Sequence, residues 1–118
     1  MIGTDIIEIA RVSEAIKKEG FVKKVFTAHE QEYFQKNGCN AQTYAGIFAA
    51  KEAACKALKT GFNNIKQTDI EILHGSLGAP FAKLHGNAAE IFKMTGKQNI
   101  EISISHCKEY TTAVCIIC

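Results

Sequence analysis

The sequence has no tryptophan and a single proline, Pro80, and none of its apolar runs is long enough to cross a bilayer. It has no low-complexity segment, no internal repeat and no linker, so one domain over residues 1–118 is expected. A large excess of one charge is missing too. The 14 basic and 12 acidic residues leave a formal net charge of +2, too little by itself to imply a nucleic-acid partner. The N-terminal residues show no basic region followed by a hydrophobic segment, so no signal peptide is expected. Five cysteines, Cys39, Cys55, Cys107, Cys115 and Cys118, form an odd and irregularly spaced set. Such a set argues against a disulfide framework and for a reducing compartment, hence a cytoplasmic location with no membrane partner. What the chain does have is 47% hydrophobic residues, enough for a core without metal or disulfide staples.

The local patterns order the elements roughly as βαααββαββ. Ile2 to Ile9 is β-rich and leads into a helical stretch, "ARVSEAIKKEG", stopped by Gly20. "FVKKVFT" is short and amphipathic. Thr27 and Glu30 form a capping-box pattern for a helix that ends near Asn37 and Gly38. A long alanine-rich helix follows, about Ala41 to Lys59, ended by Gly61. The period then changes: Asp69 to Leu84 reads as a hairpin, and "NAAEIFKMTG" as a short helix. "NIEISISH" places Ile100, Ile102 and Ile104 on one face, "CKEY" turns the chain, and "TTAVCIIC" returns as an apolar strand. The expected class is α+β, with a mostly antiparallel sheet and a long central helix.

That long helix carries Lys51, Glu52 and Lys56 among five alanines in "GIFAAKEAACKAL". Residues three or four apart share a helix face, so Ala45, Ala49, Glu52 and Lys56 form one ridge. One reading is an exposed Glu-Lys pair worth a few tenths of a kcal/mol. The other is a carboxylate held in a groove of small residues to bind a cation, with Lys56 one turn on to meet an anion. A hard cation such as Mg²⁺ then needs a second oxygen ligand and usually a phosphate. Asp5 supplies such a carboxylate, within the apolar "IGTDIIEI", where Asp is costly unless paired, metal-bound or facing water at a sheet edge.

"GTDIIEIAR", "FAAKEAACKAL" and "ISISHCKEYTTAVCII" together resemble the three signature blocks of the holo-acyl-carrier-protein synthases, small bacterial members of the 4'-phosphopantetheinyl transferase superfamily. The match covers nearly the whole chain, in order, and pairs Gly-x-Asp with a much later Lys-Glu-x-x-x-Lys. The resemblance implies the phosphopantetheinyl transferase fold. It also implies transfer of the phosphopantetheine arm of coenzyme A to a serine of apo acyl carrier protein, releasing adenosine 3',5'-bisphosphate, in support of fatty acid biosynthesis. On the same basis Asp5 and Glu52 match the Mg²⁺ ligands and Lys56 the lysine that meets the phosphates. His106 matches a histidine of the coenzyme A site, Gly78 and Pro80 a loop near adenosine, and Arg11 an arginine near the carrier-protein docking surface. The general base is either Glu52 or a metal-bound water. The resemblance further implies a homotrimer with a site shared between subunits. On these terms the alanines would let nucleotide and metal approach the helix, and Lys51, Glu52 and Lys56 would meet them.

The chain departs from the family pattern at two points. Ile47 stands where a basic residue is common, which removes one phosphate contact that Lys59 is a candidate to replace. "LKTG" stands where the family often has "LGTG", and Lys59 there reads as solvated. His29, His74 and His85 read as structural, as His106 does without the family resemblance, and Cys115 and Cys118 as apolar packing. Arg11, Lys17, Lys18, Lys23 and Lys24 suit an acidic protein partner, with Phe21, Val25 and Phe26 either anchoring it or packing into the core. Two other classes fit parts of the pattern: another Mg²⁺-dependent phosphoryl enzyme, and a non-catalytic module that binds an acidic protein.

Overall fold

Alternation in the first residues decides what the core receives. In strand β1 (Ile2–Glu8), Gly3, Asp5 and Ile7 face inward, while Ile2, Thr4, Ile6 and Glu8 face out. The computed structural model describes residues 1–118, with the side chain of residue 63 outside the description. Helices α1 (Ile9–Ala15), α2 (Phe21–Val25), α3 (Ala28–Lys36) and α4 (Ala41–Ala57) follow β1. Then come β2 (Ile70–His74), β3 (Pro80–Leu84), α5 (Gly86–Met94), β4 (Ile100–His106) and β5 (Tyr110–Ile117).

Among the described residues four α-helices, not three, therefore precede the hairpin. The first of them ends at Ala15, well before Gly20, where Lys17 and Lys18 tighten the chain with bonds to Glu14 and Ala15 carbonyls. Gly20, at φ 82°, instead starts α2. Its left-handed backbone turns the chain so that Val25 and Phe26 enter the core, which settles their role as packing residues. Phe26 meets Phe34 and Tyr44 there, and Phe21 leans on Phe26 and Phe48. The capping box of α3 forms as its sequence requires: Glu30 N donates to Thr27 Oγ1 at 3.2 Å, and Thr27 N to Glu30 Oε1 at 2.8 Å.

All strand pairs are antiparallel, but they make two sheets. The order β1-β5-β4 forms one, and β2-β3 forms the other, with β3 beside β4 and unpaired to it. Helix α4 lies across β1 and β5, with Ala45, Ala49, Ala50, Ala53, Ala54 and Ala57 buried. It stops at Ala57, short of the expected Lys59. Leu58 is the cap, and Lys59 takes a left-handed conformation at φ 63°. All five cysteines are free. Cys55 and Cys115 are buried, but Cys118 is exposed because it lies past the end of β5, which corrects its assignment to packing.

Candidate active site

The contact between β1 and α4 is closer than any side chain allows. A Cβ on Gly3 would lie 2.0 Å from the Ala53 carbonyl oxygen and 2.6 Å from the Ala57 nitrogen. Glycine at position 3 and alanines at 53 and 57 thus bring the two backbones together. Two residues along the strand, on the same face, Asp5 meets the next ridge of the helix. Lys56 Nζ lies 3.2 Å from Asp5 Oδ1 and donates to the Thr4 carbonyl at 2.9 Å. Glu52, one turn earlier, is half-buried. Its carboxyl is pushed above the ordinary range by burial first and the Asp5 charge second, with Lys56 pulling the other way.

The Asp5 charge beside Glu52 makes this a region of negative potential that a cation relieves. Among the described residues, no group of three or more His, Cys, Asp or Glu side chains is placed to hold a metal. A pair of hard oxygen donors nevertheless suits Mg²⁺, which commonly takes one or two carboxylates and completes its shell with waters and substrate phosphates. Lys56 is 55% exposed in its side chain, against 14% for Asp5, so its ammonium sits at the mouth of this group.

Lys51 is not part of it. Successive helix residues diverge by about 100°, and Lys51 points into the interior between α3 and β2. Its Nζ donates to Glu30 Oε1 at 2.7 Å, the Gln67 carbonyl at 2.9 Å and the Ile70 carbonyl at 2.7 Å, which uses all three of its protons. The expectation that it meets a nucleotide or metal is therefore corrected. It is a buried tie between α4, α3 and β2.

His106, Gly78 and Pro80 come together elsewhere. They line a cavity of about 250 Å³ between the start of α4, the β2–β3 turn and the end of β4. Gln42 Nε2 lies 2.9 Å from His106 Nδ1. Ile47 is buried and lines the same cavity, and among the described residues no Lys or Arg is in its wall. Lys59 does not line this cavity, because it lies past the far end of α4 from it, and so it does not replace the missing cation. Arg11 stands exposed on α1.

Within one chain the two groups do not meet. Asp5 is on β1 and His106 on β4, the two edge strands of the three-stranded sheet, which run about 10 Å apart across β5. Helix α4 packs over that gap, and neither Asp5, Glu52 nor Lys56 lines the His106 cavity.

Gln42 and Tyr33 escaped the sequence reading, and His74, expected to be structural, stands beside them in the cavity wall. The rings of Tyr33 and His74 stack at 4.0 Å and 2°, and both line the cavity. Burial lowers the proton affinity of His74, and its Nδ1 has no partner among the described residues. The only available signal was the placement of His74 just before the "GSLGAP" turn. His29 and His85 do have a structural role: both contact the Glu71 carboxylate, at 3.3 and 3.0 Å.

Comparison with known proteins agrees with this geometry. The family model described as the 4'-phosphopantetheinyl transferase superfamily matches residues 1–115. A holo-[acyl-carrier-protein] synthase from Fusobacterium nucleatum is 49% identical over 118 residues, covering 98% of this chain and 96% of its own. The crystal structure of the Helicobacter pylori holo-[acyl-carrier-protein] synthase in complex with coenzyme A is similar at a TM-score of 0.87 and 30% identity, over 100% of both chains. The Neisseria meningitidis enzyme of the same name is similar at a TM-score of 0.88 and 29% identity, over 98% of this chain and 95% of that one. With the Gly-x-Asp strand packed on the Lys-Glu-x-x-x-Lys helix, and a match over nearly its full length, this chain belongs to the 4'-phosphopantetheinyl transferase superfamily.

Proposed function

We infer that this chain transfers the 4'-phosphopantetheine arm of coenzyme A to a serine of apo acyl carrier protein, giving the holo form and adenosine 3',5'-bisphosphate. It acts as a single domain over residues 1–118, in the cytoplasm, in support of fatty acid biosynthesis. The observation that carries this reading is the pairing of Asp5 with Lys56 beside Glu52 at the β1–α4 contact. Phosphoryl transfer from a pyrophosphate needs charge neutralisation on oxygens that carry negative charge before and after the step, and this group is built for that.

Asp5 and Glu52 would hold Mg²⁺, which would supply positive charge to the pyrophosphate oxygens. Lys56 adds a mobile point charge to the same oxygens once it leaves Asp5. The serine oxygen bonds to the β-phosphorus as the bond from that phosphorus to the departing nucleotide oxygen breaks. The serine proton passes to a base, and Glu52 is the candidate that the chain itself supplies. Gly78, Pro80 and His106 bind the nucleotide end of coenzyme A.

A homotrimer unites the two groups. Ile2, Ile6 and Ile116 are exposed on the outer face of the three-stranded sheet, Ile6 by 66%. Apolar side chains clustered on an open sheet face support burial against another subunit. There the carboxylates of one chain approach the His106 cavity of the next. Arg11, Lys17, Lys18, Lys23 and Lys24, all exposed, favour docking of the acidic carrier protein.

The intact mass of apo acyl carrier protein, incubated with the protein, coenzyme A and Mg²⁺, tests the transfer. A gain of one phosphopantetheine is expected, lost with Glu52→Gln and on chelation. No gain with a folded protein and intact coenzyme A sinks the assignment in favour of an acidic-protein module. Cleavage of coenzyme A without transfer points to a hydrolase. Light scattering tests the trimer. Mixing inactive Glu52→Gln and His106→Ala chains tests the shared site, because activity returns only if one site draws on two chains.

A further inference from the structure

The cavity around His106 has no charged carboxylate, lysine or arginine in its wall, so what it offers an anion rests on neutral donors. The state of the His106 ring therefore matters. Gln42 Nε2 lies 2.9 Å from His106 Nδ1 and 3.5 Å from the Cys107 carbonyl oxygen. A carbonyl only accepts, so the NH₂ end of the Gln42 amide must face both atoms. With that NH₂ group as donor, Nδ1 is the acceptor, an arrangement that in the neutral ring leaves the proton on Nε2.

The fold fixes the backbone on both sides of this contact, and the contact itself faces solvent. Gln42 sits in the first turn of α4, which Asn40 caps: its Oδ1 accepts from Thr43 N at 2.8 Å and from Thr43 Oγ1 at 2.9 Å. His106 pairs with Thr111 at the end of β4, and Cys107 N closes the hairpin on the Tyr110 carbonyl at 2.9 Å. The amide therefore bridges a capped helix start and a closed hairpin.

We propose that Gln42 is a positioning residue that holds the His106 proton on Nε2, so that the ring presents a hydrogen-bond donor to an anionic oxygen in the cavity and is not a base. The identity of that ligand as coenzyme A rests on the transferase reading; the tautomer does not. It follows that the serine proton goes elsewhere than to His106.

The test is a long-range ¹H–¹⁵N correlation of the histidine rings in the full-length protein at pH 8, with His106→Ala to assign the signals. Wild type should show His106 Nδ1 unprotonated and Nε2 protonated. Gln42→Glu, of nearly the same shape, places an acceptor against Nδ1 and should move the proton there. Gln42→Met, with no polar group, should leave a mixture of tautomers. The KM for coenzyme A should rise about tenfold or more in Gln42→Glu, where a lost hydrogen bond to an anion and the new carboxylate act together, and less in Gln42→Met. A protonated Nδ1 in wild type, or identical ring spectra in wild type and Gln42→Glu, overturns the proposal. If the spectra behave as stated but no phosphopantetheine is transferred, the tautomer lock stands and the transferase reading falls.

Discussion

Replacing Lys51 with methionine tests the buried tie that α4 makes to α3 and β2. The side chains of Lys51 and Glu30 are 1% and 0% exposed, and they meet at 2.7 Å. Methionine has similar length and fills the same volume, so packing changes little. The cost comes from what is left behind. Glu30 loses its only cation, and the Gln67 and Ile70 carbonyls lose a donor. Breaking a buried pair by removing one partner costs about 3–5 kcal/mol, a large share of the roughly 5–15 kcal/mol that stabilises a domain. The melting temperature should fall by roughly 10–20 °C.

The sign of the pH dependence follows from Glu30. Burial holds its carboxyl above the ordinary range, and Lys51 opposes that shift. Without Lys51 the folded-state value rises further. A group with a raised folded value contributes most below its unfolded pKa of about 4.3 and loses that contribution as pH climbs through the folded value. Chemical denaturation should therefore show a larger loss for Lys51→Met at pH 8 than at pH 5. Adding Glu30→Gln should recover about 1–2 kcal/mol at pH 8 by removing the stranded charge. A loss below about 1 kcal/mol for Lys51→Met, or no recovery in the double variant, would refute the buried-pair account and return Lys51 to the site.

Gly3→Ala should force β1 away from α4, because the new methyl would lie 2.0 Å from a backbone oxygen. A loss of at least about 2 kcal/mol is expected by urea titration, with transfer activity falling further than stability as Asp5 moves. Lys59→Gly should stabilise the fold by roughly 1 kcal/mol, since Lys59 holds φ 63°, a region costly for any residue with a Cβ; an unchanged or lower melting temperature would contradict this. Burial pushes the Glu71 carboxyl up, but hydrogen bonds from Thr27, His85 and His29 and the charge of His85 hold it below its ordinary value. Its stabilisation is therefore present above the unfolded carboxylate pKa of about 4.3 and is lost as pH falls through the lower folded value. Melting curves between pH 6 and pH 3 should show that Glu71→Gln loses less on acidification than wild type.

Much of the fold and the chemistry was legible in local pattern. The capping box at Thr27 and Glu30, the alternation of Ile100, Ile102 and Ile104, and the glycine-rich hairpin turn each follow from rules that act within a few residues. Helix ends were less legible. Gly20 and Lys59 both take left-handed backbone, but Gly20 starts a helix and Lys59 follows one, and only the packing of Phe26 and Leu58 separates the two cases.

The sequence by itself determined which chemical groups exist and which face of each strand they share: two carboxylates, a lysine one helical turn from one of them, and a glycine two residues before the other. Tertiary structure alone decided which of the neighbours Lys51 and Glu52 turns to the core and which to the site. It also decided that Gly3 marks a backbone contact, that Gln42 reaches His106 across 64 residues, and that Asp5 and His106 stand on opposite flanks of α4. The physical reason is range. Propensity, capping and periodicity act over a turn or two, whereas these relations are set by which surfaces pack together, and a residue of α4 learns its role only from the strand or helix laid against it.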